Sequence, residues 1–236
     1  MILRKITRLT VLLLKEQFKE PSAFLWVLAS PAALFYFKVS ANEDLLRQPD
    51  EYLTYASWFY GYIALTLALF GFAFYLVGRR ESGFTRCFIF HAHAQRIYLS
   101  AHFCAHSAVT LMYGLLFYLI TKPAYGTYVF TEALGISARF YMCFALFMGP
   151  AALLSLLPVR FQTANILFSS ILLAAFITSL TSAGASDLHP LSLTRRIFQQ
   201  GLYASSGIIV ISAGVNAGAC LLLLRFFPMN PAWQRY

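Results

Sequence analysis

The chain has 236 residues, of which 59% are hydrophobic, 17% aromatic and only 11% charged. Soluble domains are nearer half apolar and a quarter charged, so neither a water-soluble enzyme nor a disordered chain fits this composition. A net charge of +9 would suggest nucleic acid on a soluble protein, but its distribution along the chain assigns it to one side of a membrane.

Residues 1–20 start basic and contain the short apolar run Leu9–Leu14. Lys15 and Glu16 interrupt that run and no small-x-small cleavage site follows, so the segment does not read as a signal peptide. At helical spacing Ile2, Ile6, Leu9 and Leu13 share one face, while Arg4, Lys5, Arg8, Lys15 and Lys19 gather on the other. This pattern predicts an amphipathic helix in the membrane interface, with its bases at anionic headgroups. Such a helix is either a topology anchor or a lever between a cytoplasmic partner and the first span.

Six stretches are apolar for the length a bilayer requires, near 22–39, 52–77, 98–121, 137–157, 164–183 and 204–227. Pro31 and the Gly149-Pro150 pair are expected to kink the first and fourth. With both termini inside, the inner segments hold Arg4, Lys5, Arg8, Lys15, Lys19, Arg79, Arg80, Arg86, Arg96, Arg160, Arg225 and Arg235 against Glu16, Glu20 and Glu81. The outer segments hold Lys38, Arg47, Lys122, Arg139, Arg195 and Arg196 against Glu43, Asp44, Asp50, Glu51, Glu132 and Asp187. The whole excess of +9 therefore falls on one face, as the positive-inside rule requires, and a nucleic-acid partner loses its motive. The expected location is a bacterial cytoplasmic (inner) membrane with both termini cytoplasmic.

Cys87, Cys104, Cys143 and Cys220 form no C-x-x-C pair and read as small apolar packers rather than a disulfide framework. No linker or low-complexity tract divides the chain, so 1–236 reads as one transmembrane domain.

The inner loop after the second span runs from Gly78 through Arg79, Arg80, Glu81, Ser82, Gly83, Phe84, Thr85, Arg86, Cys87, Phe88, Ile89 and Phe90 to Arg96. Gly83 can act as a hinge, and Phe84, Phe88 and Ile89 share one face of a short helix, a pattern suited to insertion into a groove of another protein. The alternative is an interfacial helix whose aromatics sit among headgroups.

An amphipathic leading helix, a first span opening Pro21-Ser22-Ala23-Phe24-Leu25-Trp26 and containing Pro31, the element Arg80-Glu81-x-Gly83-x-x-Arg86, and a polar insertion before the last span together resemble the permease subunit of a type-2 ABC exporter. The resemblance covers nearly the whole chain as architecture, and Arg-Glu-x-Gly is its most specific motif. It departs from the family at Ala92, where a proline is frequent.

By that resemblance, 82–90 would be a coupling helix docking on a separate ATPase, with Arg80, Glu81, Gly83, Phe84, Arg86, Phe88 and Ile89 as coupling residues. Residues 181–203 would form short exterior re-entrant helices. Two permease copies, most simply a homodimer, would work with two ATPase subunits. No G-x-x-x-x-G-K-[ST] occurs, so no cofactor is expected in this chain; ATP and Mg would be bound by the partner. The fold implied is all-α and integral to the membrane, and the function is ATP-driven export of a drug-, peptide-, lipid- or glycan-like substrate. The chain itself is expected not to be an enzyme.

His91, His93, His102 and His106 crowd one region, and the i, i+4 pair His102/His106 has a spacing that can bind metal or haem. A membrane-embedded metal or haem protein is the alternative reading, but no carboxylate accompanies the histidines within the membrane and H-E-x-x-H is absent, so no metal site is assigned. None of the six stretches has a charge at its middle, where one costs about 2.5–3.5 kcal/mol on the insertion scale. Ion-coupled carriers usually hold such a group, so the driving energy is expected through a cytoplasmic partner.

On the fifth span Asn165, Ser169 and Thr178 are candidates for the substrate path, or they satisfy neighbouring helices. Gly214 and Gly218 permit close helix contact, expected within one subunit rather than at a dimer seam.

Overall fold

The computed structural model describes residues 2–19, 21–41, 52–89, 91–181 and 189–227, and every regular element among them is helical. The expected all-α architecture is therefore seen. Five of the described helices are long and apolar enough to cross a membrane: Tyr52–Glu81, Ala92–Ala124, Phe130–Ser155, Phe161–Ser179 and Ser206–Phe226. The first expected span is a helix too, but its apolar stretch Leu25–Ser40 is shorter than these.

Helix α1 (Ile2–Gln17) uses the face its periodicity marks out. Leu13 is buried, and Ile6, Leu9 and Leu14 pack against the core. The surface they cover belongs to helix α6 (Ala92–Thr121) rather than to lipid alone, so α1 is docked on the bundle. The Thr10 hydroxyl donates to the Ala101 carbonyl at 3.4 Å, and the Gln17 amide meets His106 Nε2 at 2.9 Å. Arg4, Lys5 and Arg8 remain exposed on the opposite face. Helix α2 (Pro21–Ser40) starts at a proline, whose fixed φ suits a first helical turn, and it continues through Pro31.

The second span is one helical run in three parts: α3 (Tyr52–Thr66), an eight-residue π segment (Leu67–Phe74) and α4 (Tyr75–Glu81). A π segment bonds i to i+5, widening the helix and displacing carbonyls from the ordinary ladder. Within it the Phe72 carbonyl accepts from His102 Nε2 at 3.1 Å. Because the run ends at Glu81, Arg79, Arg80 and Glu81 lie in its last turn, not in a loop as the sequence suggested. Gly83, with φ of +75°, turns the chain into the short helix α5 (Phe84–Phe88).

Helix α6 begins at Ala92, ahead of the expected 98, and α7 spans Phe130–Ser155, passing through Pro150. Helices α8 (Phe161–Leu180), α9 (Pro190–Ala204) and α10 (Ser206–Phe226) follow. An aromatic cluster lies at the end opposite α1, where Phe35, Tyr52, Tyr60, Phe117, Phe140 and Phe198 are all buried. Tyr60 and Phe198 stack at 4.9 Å. Edge-on and stacked aromatic pairs add about 0.5–1.5 kcal/mol each beyond burial.

Helix α9 occupies part of the stretch expected to form re-entrant helices; residues 182–188 lie outside the described ones. Leu191, Thr194, Ile197 and Phe198 face inward at helical spacing while Arg195 is exposed, and α9 packs against α3 and α7. Approach to α3 is close because Gly61 lies there: a Cβ at that position would sit 2.2 Å from the Thr194 hydroxyl oxygen.

Helix α10 packs chiefly on α7, where the Asn216 amide donates to the Ala145 carbonyl at 2.7 Å. Gly214 and Gly218 are not part of that contact. A Cβ at either would meet nothing within 4 Å, so the expectation that this pair packs within one subunit is not met. The pair sits on the open side of the helix.

Candidate functional site

At the basic end of the bundle, the last turn of the second span joins three other segments through two adjacent arginines. Arg79 pairs with Glu16 at the end of α1, and the Tyr75 hydroxyl donates to the same carboxylate at 2.6 Å. Tyr75 and Arg79 are i and i+4, so one helical face carries both. The Arg79 guanidinium also lies 4.9 Å from the Tyr75 ring centroid and 4.7 Å from that of Phe84 on α5. One side chain thus touches α1, α4 and α5.

Arg80 is turned the other way and is fully buried. It donates from Nη1 to the carbonyls of Ser155 (3.0 Å) and Leu157 (2.9 Å), from Nη2 to that of Val159 (2.7 Å), and from Nε to Glu81 (3.0 Å). The last carbonyls of a helix have no partner within it, and a cation there also meets the negative end of the helix dipole. Arg80 therefore closes the C-terminus of α7 and fixes the connection to α8. With Glu81 only 8% exposed at its side chain, neither residue presents a docking surface. Arg80 and Glu81 are engaged inside the chain, where they hold the base of the second span.

Of the apolar face expected on the short helix, Phe84 and Ile89 turn inward. Ile89 is buried, Phe84 is half-buried under Arg79, and Thr85 is fully buried. Among the described side chains of α5, Cys87 is exposed. The side chains of Arg86 and Phe88, and all of Phe90, lie outside the described residues.

His102 is buried between Tyr75 and Tyr98, with ring centroids 5.3 and 6.1 Å away, and its Nε2 is committed to Phe72. His106 is engaged by Gln17. His91 and His93 are exposed at the start of α6. Among the described residues no group of three or more His, Cys, Asp or Glu side chains is arranged to hold a metal ion.

The fifth span buries only one narrow stripe, Ala164, Phe168 and Ala175, and presents Asn165, Ser169 and Ser170 outward. Ser169 lines a cleft of about 300 Å³ with Tyr62, Leu172, Leu173 and Phe176 between the second and fifth spans. Thr178 does not join them: its hydroxyl meets His189 Nε2 at 2.9 Å and closes the turn ahead of α9. Of the candidate path residues, two face outward from this chain and one is internal.

Sequence reasoning singled out the Arg-Glu-x-Gly element and noted His106 in the histidine cluster, but missed that His106, Glu16, Gln17 and Tyr75 join α1 to the spans. A lone acid at the end of an otherwise basic helix, and the tyrosine one turn before Arg79, were the available signals.

No family model matches the chain, and no solved structure matches it. Over 177 residues it is 27% identical to a protein named McbE from Escherichia coli, an alignment that covers 74% of this chain and 73% of that protein.

Proposed function

We propose that this chain is the membrane permease subunit of an ATP-driven exporter, paired with a second permease copy and driven by two copies of a separate ATPase subunit. The observation that carries this reading is the corner at the basic end. Arg79 and Arg80 tie the leading helix, the second span, the short helix after Gly83 and the connection between the fourth and fifth spans into one unit. A force on α5 would reach the inner ends of several spans through direct contacts. The π segment just above would absorb the bend, since such segments are frequent at functional sites. The likeness to McbE over most of both chains is compatible with the reading.

The energy source lies outside the chain, which carries no phosphate-cradling loop; ATP and Mg²⁺ would be bound by the partner. The second copy would cover the outward polar face of α8, and Asn165 and Ser169 would line the path between copies. The cargo class remains drug-, peptide-, lipid- or glycan-like. The membrane is the bacterial inner membrane, with α1 and the bases of the second span on the cytoplasmic side.

Cys87 supplies the test, because it is exposed on α5. Treatment of native membranes with a bismaleimide is expected to join Cys87 to a P-loop ATPase, and the adduct to disappear in Cys87→Ser. The purified pair is expected to hydrolyse ATP. An isolated chain that is active without any nucleotide-hydrolysing companion overturns the reading.

A further inference from the structure

A cleft of about 610 Å³ opens where α1, α2, the second span and α6 meet, within the range of sites that hold small amphiphilic molecules. One end is polar, lined by Glu16, Gln17, Arg79 and His106. The other is apolar, lined by Leu67, Phe70, Phe74, Val109 and Met112. Along the second span the half-buried residues Thr66, Phe70, Phe74 and Gly78 recur every fourth position and form its wall.

We propose that this cleft is a binding site for one zwitterionic phospholipid of the leaflet on the α1 side, its headgroup at the Glu16–Arg79 rim and one acyl chain along the π segment. The proposal does not depend on the export reading.

Depth is the first argument. From Tyr75 to Thr66, or from His106 to Tyr113, the helical rise gives roughly 10–14 Å, the reach of an acyl chain through one leaflet of a core about 30 Å thick. The polar rim lies level with the C-terminal turn of α1, an amphipathic helix whose other face carries four exposed bases, Arg4, Lys5, Arg8 and Lys15. That is headgroup depth.

Charge is the second. The rim holds one carboxylate and one guanidinium, side chains 45% and 21% exposed. A phosphoethanolamine group offers an ammonium to the first and a phosphate to the second. Glu16 and Arg79 already pair with each other, so the rim carries no net charge: an anionic headgroup would have to displace Glu16 from Arg79, whereas a zwitterion meets both, and the rim selects the zwitterion even though the exposed face of α1 attracts anionic lipid.

Room is the third. Gly71 lies in the wall, and the nearest atoms to a Cβ there would be those of His106 and Leu67 at 3.5–3.8 Å, ordinary contact distances. A larger side chain at this position would extend into the cleft without a clash at its root.

Native mass spectrometry of the full chain, released from nanodiscs holding equal phosphatidylethanolamine and phosphatidylglycerol, tests the site. One retained phosphatidylethanolamine per chain is expected. Gly71→Phe should lower that retention about tenfold. Glu16→Gln, on the half-exposed rim, should reverse the headgroup preference towards phosphatidylglycerol with retention kept, and it decides the matter if the glycine variant does not fold. Leu222→Ala, on the open face of α10, should change neither. Equal retention in wild type and a folded Gly71→Phe, an unchanged headgroup preference in Glu16→Gln, or a non-phospholipid mass displaced by Gly71→Phe would each overturn the assignment.

Discussion

The Arg80 guanidinium reaches the Val159 carbonyl at 2.7 Å across the base of the bundle, from the last turn of the second span to the start of the fifth. With the Ser155 and Leu157 carbonyls and Glu81 on its other nitrogens, one cation satisfies acceptors that the end of α7 leaves open. Arg80→Met removes the donors to four acceptors in a nearly closed site, a change expected to cost about 3–5 kcal/mol. Arg80→Lys keeps the charge but not the planar fork, and should recover only part of that loss. Thermal unfolding of detergent-purified protein reads both, with the midpoint ordered wild type, lysine, methionine.

Gly61 and Thr194 give a second test at the opposite end. Since a Cβ on Gly61 would lie 2.2 Å from the Thr194 hydroxyl oxygen and 3.1 Å from its Cβ, Gly61→Ala must push α9 off α3. Overpacking of this kind costs about 1–3 kcal/mol. Thr194→Ala removes the nearer atom, so the double variant should be more stable than Gly61→Ala alone. Additive losses would mean that α9 does not lie against α3 as described.

The helices were legible where their signals are long and apolar. Five long spans and the amphipathic face of α1 follow from hydropathy and period alone. The ends of helices were not, because a membrane-spanning helix can continue past the apolar stretch when its charged last turn finds partners. Arg79 and Arg80 find Glu16 and the carbonyls at and after the end of α7, so the helix runs to Glu81 and the first residues of what reads as a docking loop are its last turn. The inward turn of Phe84 and Ile89 had the same cause: a helix wheel gives their common face but not which surface covers it. The open side of Gly214 and Gly218 was misjudged for a related reason, since small residues permit close contact without requiring it. The π segment left no mark in composition, because Leu67–Phe74 is as apolar as the turns around it.

His102 connects that π segment to α6. It is fully buried, and its Nε2 lies 3.1 Å from the Phe72 carbonyl. His102→Phe would remove the side-chain bond that ties this carbonyl to α6, while the Tyr75 N–H still donates to it, at a cost of about 0.5–1.5 kcal/mol; His102→Gln can still donate and should lose less. Metal content of the purified protein is expected to be the same in wild type and both variants. Stoichiometric metal lost on His102→Phe would instead make the histidine pair a ligand site.

The outward faces of α8 and α10 differ in what they ask of their surroundings. On α10 the exposed side chains include Val210, Ile211, Val215, Leu221 and Leu222, which lipid solvates as well as protein does. On α8 Asn165, Ser169 and Ser170 are exposed, and at membrane depth such groups gain about 0.6–2 kcal/mol each from a hydrogen-bonding protein partner. The contact between copies is therefore expected on α8. Ser169→Cys, in a background with the natural cysteines replaced, should form disulfide- or bismaleimide-linked dimers in native membranes. Gly218→Leu should leave the yield of those dimers unchanged and shift stability by no more than about 0.5 kcal/mol, since a Cβ at that position meets no described atom within 4 Å. Dimers lost with Gly218→Leu while Ser169→Cys fails to cross-link would move the seam to α10, and Asn165 and Ser169 would then have no path to line.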